Sequence, residues 1–525
     1  MSEPTGPHTC IGTTNGGPLA VVDGRGAVHA LDGAWSIDWW AGADDRWHLA
    51  GEEAAVRRRL VEATPVVETA MRVPTGDAVA RAYGARVGGV AHDLVAFEVA
   101  NDSTLPFALA VVLRAGVVRL EGSVAVLDDA FEIRFARPPS RAVVAADLTA
   151  ARAGVLAGEA VELDGPVHGP VVVVLFPLAH TARLRATLLP AGGGPPADGV
   201  EAGAVAETPE ADQVARGWRA QLDRGLAFRL PDERLTAAVD LARAEVLLAA
   251  GGDLDAATTA ELAGLLSALA HQGFVDEAWR VAGELLDRQR LNGRFGRGDA
   301  GRVVTVAVLR ALGALAGTHL GADLGERVAG PVAKAAHRTA KDGLPGTAAA
   351  LRAAADLLVA AHQPEAAAAV VALPAARPAQ PARPVEPLHE LVAVDPEGGA
   401  AGLRYAGPAA LLLARVRPGL VDDASGGAAG PLLDLFAGFP PGWLGQSIEV
   451  HEAPTRFGPV SCALRWHGAR PALLWDLQVP EGRSLPVGLT LRASALDPSW
   501  STTEPRGDAL LAEPAPPPNL AGSFS

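Results

Sequence analysis

The chain has 525 residues, 49% hydrophobic and 20% charged, which describes a globular protein with room for about three domains. Its net charge of −15 argues against nucleic-acid binding, because neutralising phosphates takes a basic face. Residues 1–15 carry no apolar signal core, and the apolar runs at 171–175 and 366–373 are too short to cross a bilayer; a cytoplasmic protein without a membrane span is expected.

Residues 1–190 read as β structure. Leu19 to Val22 and Ala27 to Leu31 flank Asp23-Gly24, a hairpin signal. Short β-rich runs follow at 66–73, 78–86, 94–99, 107–113 and 171–176, the spacing of a large sandwich. Trp35, Trp39, Trp40 and Trp47 crowd one short stretch of it. Trp39 and Trp40 are candidates for stacking against sugar rings; the competing reading is that these aromatics anchor the sandwich edge.

A Gly/Pro-rich linker at 191–208 leads into a helical segment over 209–372, introduced by Val214, Trp218 and Leu222 on one helical face. Leu235, Val239, Ala242 and Val246 mark an apolar stripe, as do Leu262, Leu265, Leu266 and Leu269, and Phe274, Ala278, Val281 and Leu285. Thr258 and Glu261 have capping-box spacing, and Gly273 and Gly293 follow periodic runs where left-handed residues end helices. Further helices are expected over 302–316, 323–341 and 345–362. If successive helices run up and down, alternate loops share an end. The odd loops then gather Asp253, Asp255, Arg294, Arg297, Asp299, Lys341 and Asp342, while the even loops are short and mostly uncharged. Ala270-His271-Gln272 and Ala361-His362-Gln363 echo each other and suggest repeated hairpins.

A Pro/Ala-rich linker at 374–387 precedes the last region, 388–525, where the periodicity returns toward two. Residues 460–466 and 472–477 flank a four-residue loop, His467 to Arg470, across which Trp466 and Trp475 are placed to pack. Residues 514–525 read as a loose tail. The two cysteines, Cys10 and Cys462, lie in opposite end regions and are expected to be reduced and inert.

Gly296-Arg297-Gly298-Asp299-Ala300-Gly301 formally matches G-x-G-x-x-G, but a helix precedes it where a dinucleotide site needs a strand. There is no Walker A sequence, zinc-type cysteine pair or nucleophile-elbow serine, and His451-Glu452 has no third ligand in view. No cofactor or metal is expected.

The layout of β-sandwich, helical hairpins and C-terminal β region resembles the six-hairpin glycosidases, the glucoamylase-like and glycogen-debranching-like families. The segments EATPVVET (62–69) and VANDSTLPF (99–107) resemble strands of their N-terminal supersandwich. ALAHQG (268–273) through QRLNGRF (289–295) looks like their barrel hairpins, and PTRFGP (454–459) through Trp475 like a small β end module. The resemblance implies an α+β multidomain fold: an N-terminal β-supersandwich, a central α-hairpin toroid (a partial (α/α)6) and a C-terminal small β module. The helical block is short for a full toroid. It lacks a Trp-x-Arg-Asp motif and the catalytic glutamate motifs, and it holds two tryptophans and no tyrosine.

Inverting glycosidases set an acid and a base carboxyl roughly 6.5–9.5 Å apart. The odd-loop argument nominates Asp253, Asp255 and Asp299 for those roles, and Arg294 and Arg297 for holding sugar hydroxyls or a phosphate. Asp255 is equally well placed as a helix cap and Asp253 as a turn residue. The favoured expectation is a degenerate, non-catalytic glycosidase-like protein that binds a glycan or a protein partner. The alternative is an inverting α-glycosidase or debranching-like hydrolase using the loop carboxylates. A terpenoid-cyclase-like toroid is disfavoured because no Asp-rich metal motif is present.

Overall fold

The computed structural model describes residues 8–87, 93–191, 207–317, 322–374, 388, 407–423, 430–480 and 483–514. The expected linkers (191–208 and 374–387) and the tail fall almost wholly outside these residues. The chain is a multidomain α+β protein. It divides into two compact units, one within Met1–Ala220 and the other drawn from residues beyond Gln221.

The first unit is built on a 16-stranded sheet whose pairings are all antiparallel. The Asp-Gly hairpin forms as expected: strands Gly17–Val22 and Val28–Ala30 pair, and Asp23 Oδ1 accepts the Arg25 and Ala27 amides to close the turn. Val66–Val73 coincides with its expected run, whereas the strand expected at 107–113 extends over Phe107–Glu121. Phe107–Glu121 is the backbone of the sheet, pairing with Ser36–Gly42 on one side and Val167–Leu178 on the other. The region is not all β: Leu148–Leu156 is an α-helix, capped by Asp147, whose Oδ1 accepts the Ala150 amide. It is only nine residues long, too short a run for helical periodicity to stand out from neighbouring strands.

Alternation along Ser36–Gly42 sends side chains to two different cores. Ile37, Trp39 and Ala41 enter the larger one with Leu109, Val111 and Leu113, while Trp40 joins Ala110, Val112, Val173 and the helix residues Ala151 and Val155 on the other face.

In the second unit, helices Thr259–His271, Gly298–Gly313 and Thr347–Ala360 pack in succession. Val275–Asp287, Ala322–Asp342 and Pro364–Val371 alternate with them in sequence and lie against them. The first set is rich in buried Leu, Val and Ala over much of its surface, whereas Val275–Asp287 buries only Ala278, Val281, Ala282 and Leu285. Two layers follow from that difference. Gly298–Gly317 has the length and hydropathy of a membrane span, but more than half of it is buried against its neighbours, the position in which a core helix acquires that composition. The expected capping box is present: Thr258 Oγ1 accepts the Glu261 amide and the Glu261 carboxylate accepts the Thr258 amide.

The repeated hairpin is real, but in a different register from the sequence echo. The Phe274 amide donates to Leu269 O at 3.0 Å, and the Gln363 amide to Leu358 O at 2.9 Å. The left-handed residue before each is Gly273 (φ 81°) in one turn and His362 (φ 56°) in the other. His271 and His362 therefore hold different places in the two turns, and the Ala-His-Gln match is coincidental.

The last region is not β throughout: among its described residues Gly407–Leu420 is a helix, packed on Glu233–Gly251 and Thr259–His271. The expected hairpin pairs Val460–His467 with Arg470–Leu477, but His467 and Arg470 are themselves partners, so the loop is two residues, Gly468 (φ 64°) and Ala469. Trp466 and Trp475 do not meet. Trp475 lies opposite Cys462, four positions (~14 Å) along the strand from Trp466. Its ring packs instead on Trp500, centroids 5.1 Å apart. Cys10 and Cys462 are both buried, and neither is in a disulfide.

Candidate functional site

The odd-numbered helix connections do come together. Arg288, at the end of Val275–Asp287, donates to Leu254 O at 2.6 Å, to Ala257 O at 2.5 Å and to Asp255 O at 3.2 Å, tying the third connection to the first. Arg294 then reaches the fifth connection, gripping Asp342 through Nε at 3.0 Å and Nη2 at 2.6 Å. These bonds also determine what the rim can do. Arg294 is half-buried and held in an ion pair, and not a free ligand. Asp253 Oδ1 accepts the Asp255 amide at 2.9 Å, closing an Asx turn, and both aspartates are exposed. Asp299 sits in the first turn of Gly298–Gly313, 93% exposed, with Arg302 of the same helix 3.5 Å away. Arg297 occupies the N-cap position, exposed and without a capping bond. Exposed carboxylates engaged in local turns lack the desolvation that separates an acid from a base.

The glycine-rich match at 296–301 has a steric explanation. A Cβ on Gly301 would lie 2.3 Å from the Gly296 carbonyl carbon, so the two glycines allow the loop to cross its own helix start.

The opposite end of the helices holds buried charge that sequence reading passed over, because its members are scattered from 271 to 483. Asp423 accepts Arg417 Nη1 at 2.7 Å and the Arg456 amide at 2.9 Å. Burial works to raise its pKa, but the Arg417 guanidinium prevails and holds it at about 2. Burial pushes His271 down to about 4, with Arg417 adding to the effect, so the ring is neutral. Burial raises Asp356 against the opposing Arg456, 3.5 Å away. Arg417 Nη2 and Arg483 Nη2 donate to the carbonyls of Pro454 and Arg456, and this network fastens the 454–458 loop.

The open site is in the first unit, where a cavity of about 650 Å³ is lined by Val21, His29, Trp35, Ser36, Arg114 and Val171, with Asp32 and Asp147 among the remaining wall residues. Strand register builds it. Val21 pairs with His29, His29 with Ser36, Ser36 with Arg114 and Arg114 with Val171, so five neighbouring strands place these side chains along one rung on one face. The rest of that face is the apolar core of Trp40, Ala110, Val112 and Val173. The rung interrupts it with three adjacent polar residues. Arg114 Nε donates to Ser36 Oγ at 2.8 Å, and His29 Nε2 is 3.0 Å from Asp23 Oδ2. Two residues from Ser36 on the same face, Asp38 accepts the Trp39 amide; burial lifts its carboxyl to about 6, with nearby Asp23 adding to the rise and Arg114 opposing it. Trp35 is 3% exposed, and its Nε1–H has no partner among the described residues.

The tryptophan cluster therefore needs correction. Trp39 and Trp40 are 0% and 2% exposed, each in a different core, and neither ring can stack on a sugar. The member of the cluster that reaches a cavity is Trp35. No local pattern could disclose a rung drawn from five strands.

No family model matches the chain, and no curated protein matches it. Among solved structures it is similar to a bacterial glucoamylase complexed with acarbose, at 11% identity over 70% of this chain and 67% of that one, TM-score 0.46. It is also similar to a family GH92 inverting mannosidase from Bacteroides thetaiotaomicron, at 10% identity over 64% and 54% of the two chains, TM-score 0.34. A GH92 α-mannosidase from the same organism gives 8% identity, 60% and 50%, and TM-score 0.24. The chain spans about half the length of the two mannosidases.

Proposed function

We propose that this chain is a degenerate, non-catalytic protein of the six-hairpin glycosidase kind, a β-supersandwich with a partial (α/α)6 toroid, and that it binds a small saccharide in the sheet cavity. One observation carries the binding half: a pocket of saccharide size, apolar on most of its wall, is lined on one rung by His29, Ser36 and Arg114. A sugar has the matching character, with C–H faces for the apolar wall and hydroxyls for the polar rung. The non-catalytic half is supported by the rim, where Asp253, Asp255 and Asp299 are exposed and Arg294 is held by Asp342.

The test is calorimetric titration of the full chain with a panel of mono- and disaccharides, alongside hydrolysis assays on α-glucans and α-mannosides. Saccharide binding without turnover is expected. Hydrolysis that disappears in Asp253→Asn or Asp299→Asn would return the activity to the helical rim.

A further inference from the structure

The five-stranded sheet of the second unit ends on Arg506–Leu510, whose one strand neighbour among the described residues is Arg470–Leu477. Two bonds fix the phase of that pairing: the Leu477 amide donates to Pro505 O at 2.8 Å and the Leu511 amide to Pro471 O at 2.9 Å. Bonded and non-bonded positions alternate along an antiparallel pair, so the peptide groups of Arg506, Asp508 and Leu510 point outward from the edge. The side chains of the same three residues are exposed on one face. Neither the Arg506 nor the Asp508 side chain has an ion-pair or hydrogen-bond partner among the described residues, although Asp476 stands opposite Arg506. On the outer strand Val56–Leu60 of the first unit, by contrast, Arg57, Arg58 and Arg59 are held by Asp77, Thr9 and Glu68.

We infer that Arg506–Leu510 is a self-association edge, on which a second copy of this chain pairs antiparallel about a two-fold axis at Gly507. This register sets Arg506 opposite the partner's Asp508 and Asp508 opposite the partner's Arg506. Both pairs join outward-facing positions, so each exchanges two peptide hydrogen bonds and brings opposite charges together. Moving the axis half a residue would pair outward peptide groups with inward ones, and centring it on Asp508 would set that carboxylate against its own copy. Gly507, on the axis, has no side chain to meet its copy; a Cβ there would lie 2.7 Å from the Trp475 ring. Leu474 and Leu510, 44% and 48% exposed, share the face with the two charges and offer apolar cover to the arginine stems. An unrelated strand would have to bring the same charges in the same reversed order, which a second copy does by symmetry. The contact is isologous and closes at a dimer. Over five residues it is a small interface, so the dimer exchanges with monomer.

The experiment is sedimentation velocity of the full chain across roughly 10–500 μM, the range in which a small interface associates. A monomer–dimer equilibrium that weakens as salt rises is expected. Asp508→Arg sets arginine against arginine, and Arg506→Asp sets carboxylate against carboxylate. Each should raise the dissociation constant at least about tenfold and, at exposed positions, leave the melting temperature unchanged. The double variant Arg506→Asp/Asp508→Arg reverses both charges and should restore the dimer. The two single variants, mixed, should pair with each other more tightly than either does with itself. A wild-type chain that stays monomeric at every concentration overturns the inference and leaves the edge to a different occupant. A dimer indifferent to the single reversals overturns the assignment to this edge.

Discussion

The helical rim and the sheet cavity both collect polar side chains, yet they differ in what those side chains have left to give. At the rim every guanidinium or carboxylate that reaches inward already has a partner: Arg288 holds three carbonyls and Arg294 holds Asp342, while Asp253 and Asp299 face solvent. On the cavity wall the Oδ2 atoms of Asp32 and Asp147 remain unengaged among the described residues, beside open volume. Concentration of charge is thus a poor guide to a site. Unsatisfied hydrogen-bonding capacity next to empty volume is the better one.

The contrast can be broken most forcefully at the rim. Asp342→Ala should leave Arg294 without its carboxylate and lower the midpoint in chemical denaturation, with saccharide affinity of the folded fraction unchanged. Loss of binding without loss of stability would show the rim to be part of the ligand site.

The buried His271 offers a pH test of the same unit. Its folded pKa, about 4, lies below the ordinary imidazole value of about 6.5, so the unfolded chain takes up the proton first. The stability it contributes is complete above pH 6.5 and is lost as the pH falls toward 4, an effect on the order of 3 kcal/mol. His271→Gln should flatten that limb of the stability profile, while the Asp423 carboxylate, held at about 2, should leave a further loss below pH 4.

Trp35→Phe sharpens the other side of the comparison. The smaller ring fills less of the space against Phe131 and should lower stability by about 1 kcal/mol, while the altered cavity wall should reduce saccharide affinity about tenfold, near 1.4 kcal/mol, by titration calorimetry. A large stability loss with unchanged affinity would make Trp35 a core residue only. Thr258→Ala removes half of a capping box and should cost about 1 kcal/mol by denaturation without touching either site. Smallest of all, Asp253→Asn keeps the acceptor for the Asp255 amide, and its effect on stability and binding should lie within about 0.5 kcal/mol.

Local physics made much of this protein legible in its residues alone. The Asp23 hairpin, the 66–73 strand, the Thr258 cap and the left-handed Gly273 each depend on a few consecutive side chains and their own backbone. Even the gathering of odd loops followed from helices that alternate in direction, now secured by Arg288 and Arg294. What tertiary structure alone decided was which of these polar groups stay available. Trp39 and Trp40 point to opposite faces and disappear into two cores, Trp475 finds Trp500 instead of Trp466, and His29, Ser36 and Arg114 become neighbours only through the register of three strands. Pairing across strands is a long-range choice, set by which faces can be buried together, and a cavity is the space those choices leave unfilled.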